Sequence, residues 1–492
     1  MIPLGQYAPD QPIFGSEFAS VAKNVVPKTA RSYGPLNDFA VVSDALTARA
    51  QGGFSAKDLT NASHNFAGDA SKLYKLSSSL TWADVSKVGG YSCAPEEFWE
   101  FVQFGAYVIA TNQADAIQYF LLGTSSVFAD LSADAPLAKH IAKIDPGFLM
   151  AGNVSGVPNR IHWGEYNDPT SWPVPGTAAA EAAQANLYDL PSGGAVQRII
   201  GAVGGADGLI FMENAIYRMD YVGPPAVFEF HEIERGRGLD APQSVVNIGP
   251  LCCYLSVDGF RRTDGGVPVP IGSQRVDDTF LADVDDDFVN RVVGCLDPIS
   301  KLIFWIYPSI STGGGACDRV MIYHYELDRW SYGEISTEYV YQSLSSGQTL
   351  ESLDSISGSL DALPLSLDHR SYAGGRTLIG AFNTAHKLAY FTGSPLAATV
   401  ETGEFDPANS RIIVQGIRPL VDSDDAVTVA LGYRSTPGGT PTFATATARG
   451  SDGVCPQRIA TRYAKARIAI PAGSTWTHAQ GIEAIYRKEG LR

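Results

Sequence analysis

The densest run of groups able to hold a cation or move a proton is VDDTFLADVDDD, residues 276–287. It carries Asp277, Asp278, Asp283, Asp285, Asp286 and Asp287. The alternate spacing of Asp283, Asp285 and Asp287 imitates the opening of a calcium loop. Such a loop needs glycine at its sixth position and a bidentate glutamate at its twelfth. Here those positions hold Phe288 and Gly294, so an EF-hand is excluded. The run is read as a solvated acidic loop or an interface patch, with another hard-cation site as the lesser alternative.

The basic candidates are fewer. ERGRGLD (Glu234 to Asp240) supplies Arg235 and Arg237, and Arg261-Arg262 follow. These are small positive islands that suit contact with a phosphate or an acidic neighbour, against the plainer reading of ordinary ion pairs between sheets. Paired carboxylates for glycoside hydrolysis have too many scattered candidates to choose among: Glu96, Glu97, Glu165, Asp168, Glu213 and Asp258. The eight histidines never occur as HxH, HxxH or HExxH, so packed or surface imidazoles are expected. No GxSxG supports a serine hydrolase. GAVGGADG (Gly201 to Gly208) lacks GxGxxG spacing and leads into a strand, which makes it a turn. The expectation is therefore a protein with no catalytic residue, no metal and no cofactor.

The elements that must position these groups are short strands. Leu209 to Thr263 holds two hairpins, turning at Glu213-Asn214 and at Asp258-Gly259, and alternation around an Asp-Gly turn is a strong hairpin signal. Strand anchors at Tyr107, Leu149, Leu209, Cys253, Leu302 and Leu388 lie 42, 60, 44, 49 and 86 residues apart. Blade repeats recur at roughly 40–50 residues, so three spacings fit and two require insertions. The fold expected is all-β: a degenerate β-propeller of about six blades over 66–400, with an extended N-terminal arm at 1–65 and a C-terminal β-sandwich at 401–492. Insertions are expected near 173–190, where an Ala-rich stretch reads as a helix or a loop, and near 340–370. A short helix is expected within Ser132 to Ile144. Val320 to Tyr332 shows period-two alternation, with Tyr323, Tyr325 and Leu327 against His324 and Glu326.

Composition bounds the class. The chain has 492 residues, 45% hydrophobic and 18% charged, with 50 Gly, 29 Pro, 22 Phe and 22 Tyr, which describes many buried strands joined by turns. A net charge of −16 argues against a broadly basic DNA-gripping surface. An acidic wall can still let a duplex slide by repelling its phosphates. The six cysteines form no CxxC pair, and buried free thiols are expected; adjacent Cys252 and Cys253 point to opposite faces of a strand. MIPLGQYAPDQPIFG has no signal-peptide character, and no apolar run approaches the ~18 residues of a membrane span.

A series of phrases in order carries a resemblance. APDQPIFG, AKNVVPKTARSYGPL, FAGDASKLY, FWEFVQFGAYVIATN, PNRIHWGEYNDPTSW and IIGAVGGADGLIFMENAIYRMDYVGPPAVFEFHEI come first. APQSV with LSVDGFRR, IGSQRVDDTF, VGCLDPISKLIFWIYPS to YELDRWSY, and AFNTAHKLAYFTG follow, spanning residues 3 to about 393. The chain resembles the tail nozzle family of short-tailed double-stranded DNA phages, of the packaged-DNA-stabilisation or tail tubular protein B type. That resemblance implies a virion component made in the host bacterial cytoplasm. It implies a homohexameric ring below the portal and its adaptor ring, surrounding the DNA exit channel and docking a tail needle or fibres. Duplex DNA would pass without sequence-specific binding. The Ala-rich insert near Ala178 and the acidic segment Thr349 to Ser366 depart from the pattern and leave the attachment of plug and fibres open.

Two other readings stand beside it. A carbohydrate-binding or glycan-cleaving propeller should carry a signal and commonly disulfides, and an in-cell adaptor propeller should show regular WD or kelch repeats. Neither pattern is present.

Overall fold

Runs that alternate apolar and polar residues, each closed by a tight turn, fold here into four-stranded antiparallel meanders that resemble propeller blades. The computed structural model describes residues 1–12, 17–345, 359, 374–405 and 411–488. Five meanders are continuous in sequence, at 52–84, 100–130, 138–189, 196–235 and 246–270. A sixth, at 293–337, is part of a larger sheet, and a seventh at 339–390 takes its outermost strand, Ala40–Ala45, from the beginning of the chain. The first strands of neighbouring meanders stand beside one another, and Tyr339–Leu344 of the last lies against Gly52–Lys57 of the first.

A first strand is paired on one side only, so its other edge carries unsatisfied main-chain groups. Side chains of adjacent meanders meet that need. Thr111 Oγ1 donates to the Ala138 carbonyl at 2.5 Å, Asn153 Nδ2 to Val196 at 3.0 Å, and Asn247 Nδ2 to Gly201 at 2.9 Å. Trp305 Nε1 donates to Ser244 at 2.8 Å, and Asn65 Nδ2 to Leu344 at 2.8 Å. Apolar cores fill the spaces between: Phe66, Phe120 and Phe128 between the first two meanders, Trp163 against Phe228 between the third and fourth, and Phe211 against Tyr254 between the fourth and fifth. Gly68 has to be glycine for the first of these to close, because a Cβ there would stand 2.4 Å from the Trp99 ring.

The two chain ends build a sandwich together. One sheet pairs Val25–Thr29, Ser32–Pro35, Ala479–Lys488, Ile412–Val421 and Cys455–Thr461 in that order, with Ile2–Pro3 also on Ala479–Lys488. The other runs from Ala22–Lys23 through Ala398–Glu401 and Tyr463–Ile470 to Thr428–Arg434. Val414, Val429, Ile468 and Ile482 from the two sheets share one core with Trp476 from the connection between two of their strands. Lys23 also pairs in parallel with Tyr332, which makes the second sheet and the meander at 293–337 one ten-stranded sheet.

The structure differs from the expected fold at identifiable places. Among the described residues seven meanders stand where about six were expected, because the first begins at Gly52, in a stretch read as arm. Residues 1–65 are not an arm: they supply strands to the sandwich and to two meanders. The boundary at 401 falls inside Ala398–Glu401, whose strand already belongs to the sandwich sheet. Residues 138–144 form a strand rather than a helix, since both faces are buried between neighbours and a helix would present only one such stripe. The Ala-rich insert is a helix, Ala178–Ala183, but Asn186–Asp189 is already the fourth strand of its meander. The alternation at Val320 stops at His324; Tyr325 to Asp328 turn, with Asp328 at φ 52°. Tyr339–Leu344 is a first strand and not an insertion, and Thr349 to Ser366 lies outside the described residues except for Ser359. All six cysteines are buried free thiols, with Cys252 and Cys253 in different cores.

Arg329 ties the N-terminal strands to the meanders. It is buried, lies 4.4 Å from the Tyr33 ring centre, and donates to the carbonyls of Gly5, Thr29 and Ser32. Replacing it with methionine removes its charged donors from all three carbonyls, of which Gly5 keeps the Tyr33 hydroxyl at 3.0 Å. Arg329→Met is expected to lower unfolding stability by roughly 3 kcal/mol, read by urea titration, and to open residues 1–35 to proteolysis first.

Candidate functional site

Polar side chains converge where the first strands meet. Glu100 opens the strand Glu100–Phe104 inside the aromatic phrase FWEFVQF, and its carboxylate is 3% exposed. It accepts the Ile141 N–H at 2.9 Å and the His140 ring Nδ1–H at 2.8 Å, both from the third meander. Arg198 Nη1, from the fourth, forms a close ion pair with the same carboxylate. Arg198 Nη1 also reaches Gln243 Oε1 at 3.2 Å, and the Tyr339 hydroxyl donates to that oxygen at 3.4 Å. Four meanders and the short 3-10 turn Pro242–Ser244 therefore share one buried network across the axis of the ring.

The network separates two cavities. The larger, about 500 Å³, is lined from six of the first strands and includes Phe54, Trp99, Phe101, Asn247 and Gln342. The smaller, about 170 Å³, is lined by Glu96, Glu97, Lys139, His140, Asp240 and Asn290 among others. Glu100 and Gln243 face both. Ion pairs Glu97–Lys139 and Glu96–Arg291 brace the smaller mouth at 2.9 and 2.6 Å.

Burial alone would push the Glu100 carboxyl up. The Arg198 and His140 partners and the donated hydrogen bonds outweigh it and hold the group below the ordinary carboxylate range. For His140, burial is the largest influence and lowers its pKa, and the Glu100 charge does not fully offset it. The network is thus an ionised Glu100–Arg198 pair with a neutral His140 donating through Nδ1.

The acidic run does not form one patch. Asp277 is buried at the start of the helix Asp277–Asp283 and accepts the Phe260 N–H at 3.1 Å. Its carboxyl sits where a Cβ on Gly259 or Gly272 would lie within 2.2 or 2.0 Å of it. Burial, reinforced by Asp10, Asp258 and Asp278, pushes this carboxyl up to about 7 despite the Phe260 N–H. Asp10 caps the same helix by accepting from Asp278 N and Thr279 N. Asp283 accepts the Tyr307 hydroxyl, and Asp285 accepts from Asp287 N. Only Asp278, Asp286 and Asp287 are exposed. No cluster of three or more His, Cys, Asp or Glu arranged to hold a metal occurs among the described residues.

The basic candidates are largely taken up in nearby pairs. Arg235 binds Glu232, Arg237 binds Glu234 at 3.0 Å and Asp258 at 3.5 Å, and buried Arg261 grips Asp258 through two bonds of 2.9 and 2.7 Å. Arg262 is half-buried on the strand Gly259–Thr263. The axial residues were not among those chosen from the sequence. A signal existed only at Glu100, which interrupts the aromatic phrase FWEFVQF; His140 and Arg198 stand beside Lys139 and Gln197 and are not marked out.

No family model matches the chain, and no curated protein sequence matches it. Among solved structures it is similar to the WD40 domain of Neurospora crassa Pan2, at 7% identity over 72% of this chain and 95% of that one, with a TM-score of 0.39. It is also similar to virginiamycin B lyase from Staphylococcus aureus, at 13% identity over 72% and 99% of the two chains, with a TM-score of 0.34. These likenesses are distant.

Two measurements test the electrostatics. Glu100→Gln leaves Arg198 without its counter-charge and is expected to cost about 3 kcal/mol, with much of the loss recovered in Glu100→Gln/Arg198→Met. Folded His140 resists a proton that the unfolded chain accepts below about pH 6.5, so stability should fall on acidification by at most about 1.4 kcal/mol per pH unit. His140→Gln should flatten that slope between pH 6.5 and 5.

Asp277 has the opposite sign. Its raised pKa favours the folded state fully only below the unfolded value near 4, and that advantage is lost as pH rises toward about 7. Asp277→Asn, which keeps an acceptor for Phe260, should gain on the wild type across this window and plateau above it. A pH-independent difference in urea midpoint would overturn the assignment.

Proposed function

We propose that this chain is a structural subunit of a tail nozzle in a short-tailed double-stranded DNA phage. In this reading the seven meanders form a degenerate seven-bladed propeller, closed by the N-terminal strand Ala40–Ala45. Several copies, six by resemblance, assemble into a ring beneath the portal and its adaptor, around the path by which DNA leaves. Needle or fibres dock on the same ring.

The observation that carries the reading beyond the ordered phrases is mechanical. The ten-stranded sheet runs without a break from a blade into the sandwich that holds both chain ends, so the subunit is one stiff β-wall with loops at its margins. A wall that contains pressurised DNA needs such continuity, because an interdomain linker would yield first. The axis of a single subunit is crossed by the Glu100–Arg198–Gln243–Tyr339 network. A duplex therefore has to pass between subunits, which makes the ring necessary to the function. The net charge of −16 supports a surface that repels phosphates.

Negative-stain imaging of the purified chain, alone and with its portal-side neighbour, tests this directly. A sixfold ring with a central channel is expected; single-chain particles at every concentration, with and without the neighbour, would overturn it. If the exposed acids face the lumen, Asp278→Asn/Asp286→Asn/Asp287→Asn should leave assembly intact and raise retention of duplex DNA at low salt. Unchanged retention would remove this run from the channel wall.

A further inference from the structure

The larger axial cavity, about 500 Å³, has the size of a small-molecule site, and its chemistry is selective. Among the described residues its only charged lining groups are Glu100 and Arg198, which are paired with each other. The cavity thus offers no net charge. A phosphate or carboxylate entering it would have to share Arg198 with Glu100, whose own charge repels it.

What the cavity does offer is unused neutral hydrogen bonding. Gln243 Oε1 is engaged by Arg198 and Tyr339, while its amide N–H groups have no partner among the described residues. Gln342 is exposed, and its side-chain amide neither donates nor accepts among the described residues. The strands Gly52–Lys57, Val293–Asp297 and Tyr339–Leu344 each have a sheet neighbour on one side only along these stretches, so their inner edges add main-chain donors and acceptors. Beside these groups, half-buried Phe54 and Phe101 stack with ring centres 5.9 Å apart and planes 8° from parallel. Both rings line the cavity and give that part of its wall an apolar aromatic surface.

A mixed set of neutral donors and acceptors beside an aromatic surface, without net charge, matches a ring that is apolar on its C–H face and hydroxylated at its rim. We propose that this cavity binds a neutral saccharide of one or two sugar units. The C–H face of the sugar lies on the Phe54–Phe101 pair, and its hydroxyls pair with Gln342, with the Gln243 amide and with the strand edges. The site goes beyond the ring reading and does not depend on it, since the whole cavity lies within one chain.

The test is saturation-transfer NMR on the full-length chain with glucose, galactose, N-acetylglucosamine, lactose and maltose, with glucuronate and inorganic phosphate in parallel. Transfer to at least one neutral sugar is expected. Gln342→Ala should weaken that binding about tenfold, the equivalent of one hydrogen bond. Gln342→Trp, which fills the cavity from an exposed position, should abolish it, with thermal unfolding unchanged in both variants. Absence of transfer to every neutral sugar would mean a water-filled channel only and would overturn the proposal. Binding that survives Gln342→Trp, or tighter binding of glucuronate or phosphate than of any neutral sugar, would overturn it as well. A ring that fails to form leaves this result untouched, and a sugar that fails to bind leaves the ring untouched.

Discussion

The pairing of Ala40–Ala45 with Lys387–Tyr390 is the contact on which the rest of the structure depends. Blade-like sheets set side by side leave a gap unless the last returns to the first, and an open arc would expose two hydrophobic sheet faces. Here the outermost strand of the last meander comes from the start of the chain, so closure is a hydrogen-bonded ladder rather than a packing contact alone. Leu388 N donates to Ser43 Oγ at 2.9 Å within the same ladder. Such a long-range contact costs chain entropy that grows only slowly with loop length. Once made, it also brings residues 1–35 and 398–488 close enough to form the sandwich.

The axis of the ring poses a different problem. Apolar side chains are consumed between meanders, and inner strand edges are left with main-chain groups that oil-like packing cannot satisfy. Glu100 and its partners solve part of this by spanning the axis with charge-assisted bonds. A buried ion pair contributes little net stability over an apolar replacement. What it supplies is registry: one carboxylate accepts from two neighbouring meanders, so a shift of any strand would strand a charge. The same polar lining keeps the larger cavity open, where apolar residues would have collapsed it.

The acidic run shows how tertiary packing redistributes a patch. In sequence six aspartates look equivalent, yet one is buried with its carboxyl pushed up to about 7, two serve as acceptors for a tyrosine or a helix start, and three remain at the surface. Asp10, from the N-terminal segment, completes the arrangement by capping the helix that Asp277 opens. Repulsion is relieved by separating the charges onto different faces, which is why the run forms no metal cage.

The strands themselves were legible in the sequence. Period-two alternation and the Glu213-Asn214 turn located the hairpin of the fourth meander, and Asp258-Gly259 marked that of the fifth one residue late, its turn being Val257-Asp258 with Gly259 opening the returning strand, because side-chain direction and turn conformation are local properties. So were the buried thiols on opposite faces at Cys252 and Cys253. The number of meanders was not legible, since GGFSAK at 52–57 is too small-residue-rich to alternate clearly, and its packing partners, Trp99 on Gly52 and Tyr341 on Gly53, come from distant parts of the chain. Nor was the strand at 138–144, whose Ala- and Lys-containing sequence suits a helix until both faces are buried. The axial site was hidden for the same reason: Glu100, His140, Arg198, Gln243 and Tyr339 are spread over some 240 residues and form no motif along the chain. Only closure of the ring brings them within hydrogen-bonding distance, because their proximity is a property of the circle and not of any one strand.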